Sequence, residues 1–567
     1  MRTAIVASIA FALTLVSGQS SAAPPKAASA NTATPIKHLI VIFQENVSFD
    51  HYFATYPQAA NLPGEPEFHA KPGTPNVNGL SSALLSANPS STNTQNADGA
   101  TNPFRLSRAQ ASTADQDHDY TPEQQAMHLG LMDLFPLYTG VGGTGSGAPP
   151  PAGSPNIFST NGLVMGYYDG NTVTALWNYA QRFAMSDNSF NTTFGPSTPG
   201  ALNLISGQTN GVIATLNGTG DETDGGNGTL TMISDADPIG DVCSPSTGAQ
   251  GTMGGQNIGD LLTAANISWG FFSGGFDLTI TNADGSTGCT RTTTSAVTNV
   301  TKKDYIPHHQ PFQYYPSTSN PTHARPRTVQ AIGSNNDGAN HQYDIHDFFD
   351  ALRSDNLPAV VYLKAPGYQD GHAGYSDPID EQAFIVKVVN TVQFSPFWRD
   401  TAIVIAYDDS DGWYDHQMPP IVNQSASPDD ALTGEGACGD GTTALPGIAA
   451  DNPHAQGRCG YGPRLPLLVI SPWAKSNYVD HNLTDQTSIL RFVEDNWLSG
   501  ARIGGGSFDA IAGKIDSMFD FHQPFIFERK LILDEQTGQP KKPWWWPFSF
   551  NAPEAWNHRS HHTTKLG

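Results

Sequence analysis

Acidic and amide side chains follow two apolar segments of the chain, at the point where each segment ends. Glu45 and Asn46 come after "IKHLIVIF", and Asp408 and Asp409 come after "TAIVIAY". Carboxylate and amide oxygens are the hard ligands that suit a divalent cation. One acid after a strand is more often a helix cap or a solvated turn, but two such strand ends in one sheet favour a binding site. The pattern therefore predicts a metal site at these four residues.

A serine in a third segment could react at such a site. In "FGPSTPGALNLISGQ", we expect a helix with Ser197 as its N-cap and Pro199 in its first turn, ending at Gly207. As a cap, the Ser197 hydroxyl would only satisfy backbone amides. At the positive end of a helix and bound to a cation, it would become a nucleophile toward phosphorus. The local pattern leaves both interpretations open.

Histidines are the remaining candidates for phosphate binding or proton transfer. His118 and His128 share one segment, His308 and His309 are adjacent in a proline-flanked loop, and His372 follows a third apolar segment. A single histidine is usually structural or solvated. The adjacent pair and the histidine after a predicted strand are therefore the better candidates.

The elements that would position these side chains are typical of an α/β fold. Apolar runs alternate with segments that have apolar residues at three- and four-residue spacing. The predicted strands are 36–43, 268–273, 359–363, 401–406 and 466–470, and the predicted helices are 344–353, 380–392 and 486–497. The strand segments are continuously apolar, which indicates buried parallel strands, and ligands bind outside the carboxyl ends of such strands. The stretches rich in Ser, Thr, Asn and Gly are predicted surface insertions: 80–102, 140–155 and 217–227.

The composition is that of a folded protein of 567 residues, with 38% hydrophobic and 14% charged residues. Its formal net charge of −24 argues against a nucleic-acid or anionic-membrane partner. If the substrate is itself an anion, local positive charge must offset that field. A metal ion, helix N-termini and histidines are the means the sequence offers.

The N-terminus and the cysteines both indicate export. Residues 1–23 have the layout of a secretory signal peptide, with cleavage expected between residues 22 and 30. We expect a catalytic domain over 36–530 and an irregular tail over 531–567, and no segment capable of stable membrane insertion. The four cysteines favour disulfides, and sequence-local pairing would join Cys243 to Cys289 and Cys438 to Cys459, although three patterns are possible. The predicted location is the periplasm or the medium.

Five motifs, in order along the chain, resemble the bacterial phosphoesterase family that contains phospholipases C and AcpA-type acid phosphatases. They are "HLIVIFQENVSFDHYF", "GPSTPGALN", "DYIPHHQPF", "AIVIAYDDSDGWYDH" and "RLPLLVISPWAKSNYVDHNLTDQTSILRFVEDNW". The resemblance runs from about Ile36 to Trp497. It implies an alkaline-phosphatase-like sandwich, in which helices flank a central, mainly parallel β-sheet and long loops are inserted.

The resemblance also implies roles for individual residues. It implies one divalent metal ion (Mg²⁺, Ca²⁺, Mn²⁺ or Zn²⁺) held by five residues: Glu45, Asn46, Ser197, Asp408 and Asp409. Ser197 would also be the nucleophile. The same matching implies a phosphate pocket lined by four histidines: His118, His308, His309 and His372, of which His372 is slightly favoured as the proton donor. Asp485 matches a recurrent family position to which the pattern assigns no role.

Departures from the phospholipase pattern favour the acid phosphatase branch. Many phospholipases of the family have Asp-Glu-His-Gly-Gly where this chain has "DDSDG" from Asp408, and Thr-Asn-Pro where it has "STP" from Ser197. We therefore expect a secreted acid phosphatase that hydrolyses phosphate monoesters through a phosphoserine. The alternative is a phospholipase C-type phosphodiesterase acting on phosphatidylcholine-like lipids, and a metal-dependent binding protein without chemistry is a third. The expected partner is accordingly a phosphate-ester small molecule or a lipid headgroup; the sequence does not determine the oligomeric state.

Overall fold

The computed structural model describes residues 31–142, 146–218, 220–226, 228–447, 455–522 and 529–541. The predicted signal peptide and the part of the predicted tail beyond residue 541 lie outside the described residues. Within them, no helix combines the length and the apolar character needed to cross a membrane.

A central sheet of eight strands organises the described part of the chain. In chain order its strands are β1 (His38–Gln44), β2 (Ala184–Ser186), β3 (Trp269–Ser273), β4 (Gln342–Asp344), β5 (Val360–Lys364), β6 (Thr401–Tyr407), β7 (Leu467–Ile470) and β8 (Tyr478–Asp480). Across the sheet the order is β4-β3-β5-β1-β6-β7-β2-β8. All five strands predicted from apolar runs are present. Three short strands, β2, β4 and β8, were not predicted.

The sheet is mainly parallel, as predicted, with one exception. β7 pairs antiparallel with both of its neighbours, β6 and β2, so the expectation that the 466–470 segment is a parallel strand is wrong. An apolar run of this length indicates burial on both faces but not strand direction, because either direction buries the same side chains. The remaining pairings are parallel.

Helices flank the sheet, in agreement with the predicted fold class. Ten α-helices occur in the described residues: α1 (Phe49–Phe53), α2 (Ser82–Ser86), α3 (Tyr120–Ala126), α4 (Phe135–Tyr138), α5 (Thr174–Arg182), α6 (Ser197–Ser206), α7 (Ile258–Ala264), α8 (Ile345–Arg353), α9 (Pro378–Phe394) and α10 (Thr487–Trp497). α6 packs against α7 and α10, and α5 packs against α9. The predicted helices correspond to α6, α8, α9 and α10, with ends shifted by at most two residues.

A second sheet lies outside the central one and was not predicted. Its five strands are Asn210–Leu216, Glu222–Asp224, Leu230–Met232, Asp237–Pro238 and Gln250–Met253. The predicted insertion at 217–227 includes the connection between the first two strands and the second strand itself. Both predicted disulfides, Cys243–Cys289 and Cys438–Cys459, are present.

Helix α6 approaches the end of β6 so closely that only a glycine fits between them. A Cβ placed on Gly200 would lie 2.1 Å from the backbone oxygen of Asp408. Backbone cannot move aside as the end of a flexible side chain can, so a side chain here would push α6 away from the strand. The separation between Ser197, on the first turn of α6, and the acids after β6 therefore depends on this glycine.

We expect Gly200→Ala to destabilise the protein by about 1–3 kcal/mol, the usual cost of overpacking, and to lower activity by moving Ser197 away from Asp409. Chemical denaturation and steady-state rates measure the two effects. Gly218→Ala is the matched control, because its nearest neighbour is the end of the Glu222 side chain at 3.2 Å. Equal effects of the two substitutions would contradict this account.

A buried glutamate joins helix α9 to the strand end that carries the site. Glu381 accepts hydrogen bonds from Tyr407 Oη at 2.6 Å and Tyr52 Oη at 2.8 Å. Burial raises the pKa of Glu381 to about 8, although both hydrogen bonds oppose the rise. The folded protein therefore keeps a proton on this side chain at pH values at which the unfolded chain has lost it.

The raised pKa of Glu381 predicts that the protein loses stability as pH rises from about 4.5 toward 8, because unfolding then releases this proton. Glu381→Gln stays neutral throughout, so it should remove a slope of up to about 1.4 kcal/mol per pH unit. Chemical denaturation at pH 5, 6, 7 and 8 tests this. Parallel pH profiles for wild type and variant would contradict it.

Candidate active site

The parallel pairing of β1 and β6 brings the two predicted acidic strand ends together. Gln44, the last residue of β1, lies opposite Tyr407, the last residue of β6, so the chain leaves both strands at the same edge of the sheet. Glu45 and Asp408 are the next residues, and both are fully buried. The carboxylates predicted from two distant segments thus share one pocket.

Ser197 lies between two of these carboxylates. Its Oγ is 3.0 Å from Glu45 Oε2 and 3.2 Å from Asp409 Oδ2, within hydrogen-bond distance of each. The prediction that Ser197 is the N-cap of α6 is wrong: Pro196 is the N-cap and Ser197 is the first helical residue. The Ser197 hydroxyl therefore points to the acids instead of back to the helix amides.

Asn46 connects this cluster to a histidine. The residue has a left-handed backbone with φ of 55°, a conformation that asparagine tolerates better than most residues. Its backbone N–H donates to Asp408 Oδ1 at 3.2 Å, and its Nδ2 lies 3.3 Å from His118 Nε2 and from Asp411 Oδ1. The other side-chain atom, Oδ1, is buried without a hydrogen-bond partner.

The donor set fits a hard divalent cation. Glu45 Oε2, Ser197 Oγ, Asp409 Oδ2 and the unpartnered Asn46 Oδ1 are oxygens. Burial and the neighbouring Asp408 raise the pKa values of both Glu45 and Asp409 well above the ordinary range, which is the signature of carboxylates that lack enough positive charge. A cation bound here would supply that charge.

Asp408 is more constrained than the other predicted ligands. Its Oδ1 accepts the backbone N–H groups of Asn46 and Asp409, and its Oδ2 lies 3.3 Å from Lys364 Nζ. Burial raises the pKa of Asp408, but Lys364 and the hydrogen bonds outweigh burial and lower it overall. Both Asp408 oxygens therefore already have partners in the protein.

Lys364 was not predicted as part of the site. It is the last residue of β5, is fully buried, and its Nζ also contacts Glu45 Oε1. The available signal was a single charged residue ending an apolar strand, "VVYLK". The predicted strand, 359–363, ends one residue before this lysine.

His118 and His372 lie together beside Asn46. Their ring centroids are 5.8 Å apart, and each Nδ1 is close to a backbone oxygen, of Gln116 and Ala373 respectively. Burial lowers the pKa of His118, but surrounding carboxylates outweigh it and raise the pKa well above the ordinary value. Burial lowers the pKa of His372 to about 4.

The adjacent histidines occupy different positions. His309 Nδ1 is 3.3 Å from Glu45 Oε1, and burial, reinforced by Lys364, lowers the pKa of His309 well below the ordinary value. His308 turns outward and pairs with Asp237 at 3.0 Å. Of these two adjacent histidines, His309 is the one that contacts the predicted ligand Glu45.

Two further residues from the sequence analysis, Asp485 and His128, do not form this pocket. Asp485 accepts from Thr192 Oγ1 and from Thr487 Oγ1, each at 2.7 Å, and so stabilises the start of α10. His128 pairs with Asp133 at 2.6 Å. In both cases a local partner accounts for the residue.

Asp115 and Asp411 complete the pocket on the histidine side and were not predicted as site residues. With His118 and His372 they form a buried group whose potential ligand atoms all lie within 4.8 Å of one another. Asp411 lies two residues after Asp409 in "DDSDG", so its position next to predicted ligands was a signal that could have identified it. Asp115 had no such signal, because nothing in its local sequence separates it from Asp117 and Asp119.

Two other groups of metal-ligating side chains have structural partners instead. In the group of Asp241, Cys243 and His323, the cysteine is bonded to Cys289. In the group of Asp50, Asp415 and His416, the guanidinium of Arg464 already pairs with both carboxylates. Neither group competes with the pocket at the strand ends.

Residues 36–498 match the model of the Phosphoesterase family, which is most of the chain. The protein therefore belongs to the phosphoesterase family. The family resemblance inferred from the five motifs is therefore confirmed.

Several relatives are phospholipases C. A non-hemolytic phospholipase C of Burkholderia pseudomallei is 32% identical over 186 residues, which are 31% of this chain and 25% of that protein. Phospholipase C A of Mycobacterium tuberculosis is 22% identical over 523 residues, 90% of this chain and 82% of the relative. Matches to the first of these relatives thus span only about a quarter of its length.

Among solved structures, murine ectonucleotide pyrophosphatase/phosphodiesterase 5 is similar to 61% of this chain, with 10% identity and a TM-score of 0.30. The match covers 95% of that protein's chain. A structural similarity at this level is too low to infer any feature of this protein from the murine one.

Proposed function

We propose that the protein is an exported, metal-dependent acid phosphatase that hydrolyses phosphate monoesters through a phosphoserine at Ser197. The observation that carries the proposal is the position of Ser197 Oγ at the first turn of α6, between Glu45 Oε2 and Asp409 Oδ2. A hydroxyl held by two carboxylates at a helix N-terminus has both a proton acceptor and a favourable field for a developing alkoxide. Family membership supports the reaction class.

The proposed first step transfers the phosphoryl group to the protein. Ser197 gives its proton to a neighbouring carboxylate, and Oγ attacks phosphorus in line with the ester oxygen. The Oγ–P bond forms while the P–O bond to the leaving alcohol breaks, and the alcohol oxygen takes a proton from a histidine. Water then attacks phosphoserine, which returns free Ser197 and inorganic phosphate.

The sequence slightly favours His372 as the proton donor, but the pKa values and positions of the histidines favour His118. The pKa of His372 is lowered to about 4, so His372 is neutral over most of the acidic range. His118 has a raised pKa and lies 3.3 Å from Asn46 Nδ2, beside the reacting groups. We therefore propose His118 as the proton donor, with His372 and His309 as neutral groups lining the phosphate pocket and His308 at its outer side.

One divalent ion completes the proposed site. Glu45, Asn46, Ser197 and Asp409 would hold it, with Asp408 oriented behind them. When bound, such a cation offsets charge on the phosphoryl oxygens and lowers the pKa of the Ser197 hydroxyl. Oxygen ligands suit Mg²⁺, Ca²⁺ or Mn²⁺, and Zn²⁺ also accepts carboxylates. Elemental analysis of the purified protein identifies the ion.

We expect Ser197→Ala to abolish turnover and phosphoenzyme while the fold stays intact, because the nucleophilic oxygen is removed. Acid quenching during turnover of a ³²P-labelled monoester, followed by detection of protein-bound label, measures the intermediate. Thr198→Ala, one residue further along α6, is the control and should still be labelled. A Ser197→Ala protein that is still labelled and active would contradict the assignment of Ser197 as the nucleophile.

The second candidate is a phospholipase C-type phosphodiesterase acting on phosphatidylcholine-like lipids. The observation that favours it is the match to Phospholipase C A of Mycobacterium tuberculosis over 90% of this chain. The serine at position 197 and the "DDSDG" sequence favour the monoesterase instead.

We expect a higher kcat/KM for a chromogenic phosphate monoester than for a choline phosphodiester, with the optimum below pH 7. Parallel assays of both substrates between pH 4 and pH 8 measure this preference. Cleavage of the diester alone would establish the second candidate. A protein whose stability changes on chelation, but which cleaves neither ester, would instead be a metal-dependent binding protein.

The proposed location is the periplasm or the medium. Two disulfides support an oxidising compartment, where such bonds persist. The predicted cleavage between residues 22 and 30 is tested by sequencing the N-terminus of the secreted protein.

A further inference from the structure

The carboxylate pocket contains a positive charge that belongs to the protein itself. Lys364 Nζ contacts Glu45 Oε1 and lies 3.3 Å from Asp408 Oδ2, and the lysine side chain is only 1% exposed. In the described part of the chain, no other lysine or arginine forms an ion pair with Glu45, Asp408 or Asp409. A buried ammonium in this position must be explained by what it does for these acids.

In both Glu45 and Asp408, one carboxylate oxygen contacts Lys364 and the other oxygen contacts a different group. Glu45 uses Oε1 for Lys364 and presents Oε2 to Ser197 Oγ. Asp408 uses Oδ2 for Lys364, while its Oδ1 accepts the backbone N–H groups at the start of the two following loops. Lys364, together with His309 at 3.3 Å from the same Oε1, thereby leaves Glu45 Oε2 to face the reacting hydroxyl.

A simple charge balance shows a second effect. Glu45, Asp408 and Asp409 carry three negative charges when ionised, and one divalent cation offsets two of them. The remaining negative charge would repel a phosphate monoester, which is itself an anion. The charge of Lys364 brings this group of residues and one metal ion to neutrality.

We infer that Lys364 is the internal counter-cation of the site: it orients Glu45 and Asp408, and it offsets the negative charge that Glu45, Asp408 and Asp409 retain beside one divalent ion, so that a phosphoryl anion can bind. This inference rests on the proposed function. It assigns to a side chain a charge that a second metal ion would otherwise have to supply. Lys364 is a positioning residue, since its contacts are to the proposed ligand Glu45 and to Asp408 behind the ligands.

The inference predicts opposite effects on metal and phosphate affinity. Lys364 competes with a cation for the same carboxylates, so Lys364→Met should bind Mn²⁺ at least about tenfold more tightly than wild type. The Mn²⁺-loaded variant should bind inorganic phosphate at least about tenfold more weakly. Isothermal titration of the purified full chain, first with Mn²⁺ alone and then with inorganic phosphate, measures both constants.

Controls separate this role from a structural one. Lys303→Met removes the exposed lysine at the end of the hairpin strand Thr301–Lys303 and should leave both dissociation constants within about twofold of wild type, because a solvated charge is screened. Lys364→Arg keeps the charge and should retain phosphate affinity better than Lys364→Met. If the Met variant does not fold, Lys364→Gln replaces it, since its amide still donates a hydrogen bond but carries no charge.

Each outcome bears on the inference. Tighter Mn²⁺ binding with weaker phosphate binding supports it. Unchanged affinities, or a parallel loss of both, would overturn it in favour of a purely structural lysine, as would a Gln variant with wild-type phosphate affinity. If wild-type protein binds neither Mn²⁺ nor phosphate, the proposed function itself fails, which distinguishes that failure from failure of the role of Lys364.

Discussion

Buried carboxylates that share a small pocket repel one another, and the structure around them must supply positive charge or protons. Glu45, Asp408 and Asp409 are fully buried at one edge of the sheet, and Asp115 and Asp411 lie on the histidine side of the same pocket. In a protein interior such repulsion is screened far less than in water. Lys364, the proposed metal ion and His118, whose pKa the surrounding carboxylates raise, offset this concentration of acids.

Close backbone approach is the second requirement of the site. The parallel register of β1 and β6 places the two acidic strand ends side by side, and Gly200 lets helix α6 contact the backbone at Asp408. Asn46 adopts a left-handed conformation at the same junction. Together these features place Ser197 within 3.2 Å of carboxylates from two separate strands, a distance that one added methyl group on α6 would disturb.

The proposed chemistry of the pocket does not by itself distinguish a phosphate monoester from a lipid phosphodiester. The serine, the carboxylates and the proposed cation would act on any phosphoryl group, so they do not decide between a monoester and a lipid phosphodiester. That choice depends on the groups that meet the rest of the substrate, namely the histidines and the loops around them. The inserted segments include a separate five-stranded sheet, and surface insertions of this kind generally tolerate more sequence change than the elements they connect.

Local sequence patterns were sufficient to predict the buried strands, the main helices and the sequence-local disulfides. They also indicated the candidate site residues: Glu45, Asn46, Ser197, Asp408 and Asp409. Each of these predictions depends on residues that are close together in the chain. Only the tertiary structure revealed the antiparallel direction of β7 and the position of Ser197 in the first turn of α6. It alone also revealed that Lys364 and Asp115 lie in the pocket. The physical reason is that charge pairing across a pocket depends on distances in space. Lys364 and Glu45 are 319 residues apart in sequence, and no local signal could show that one neutralises the other.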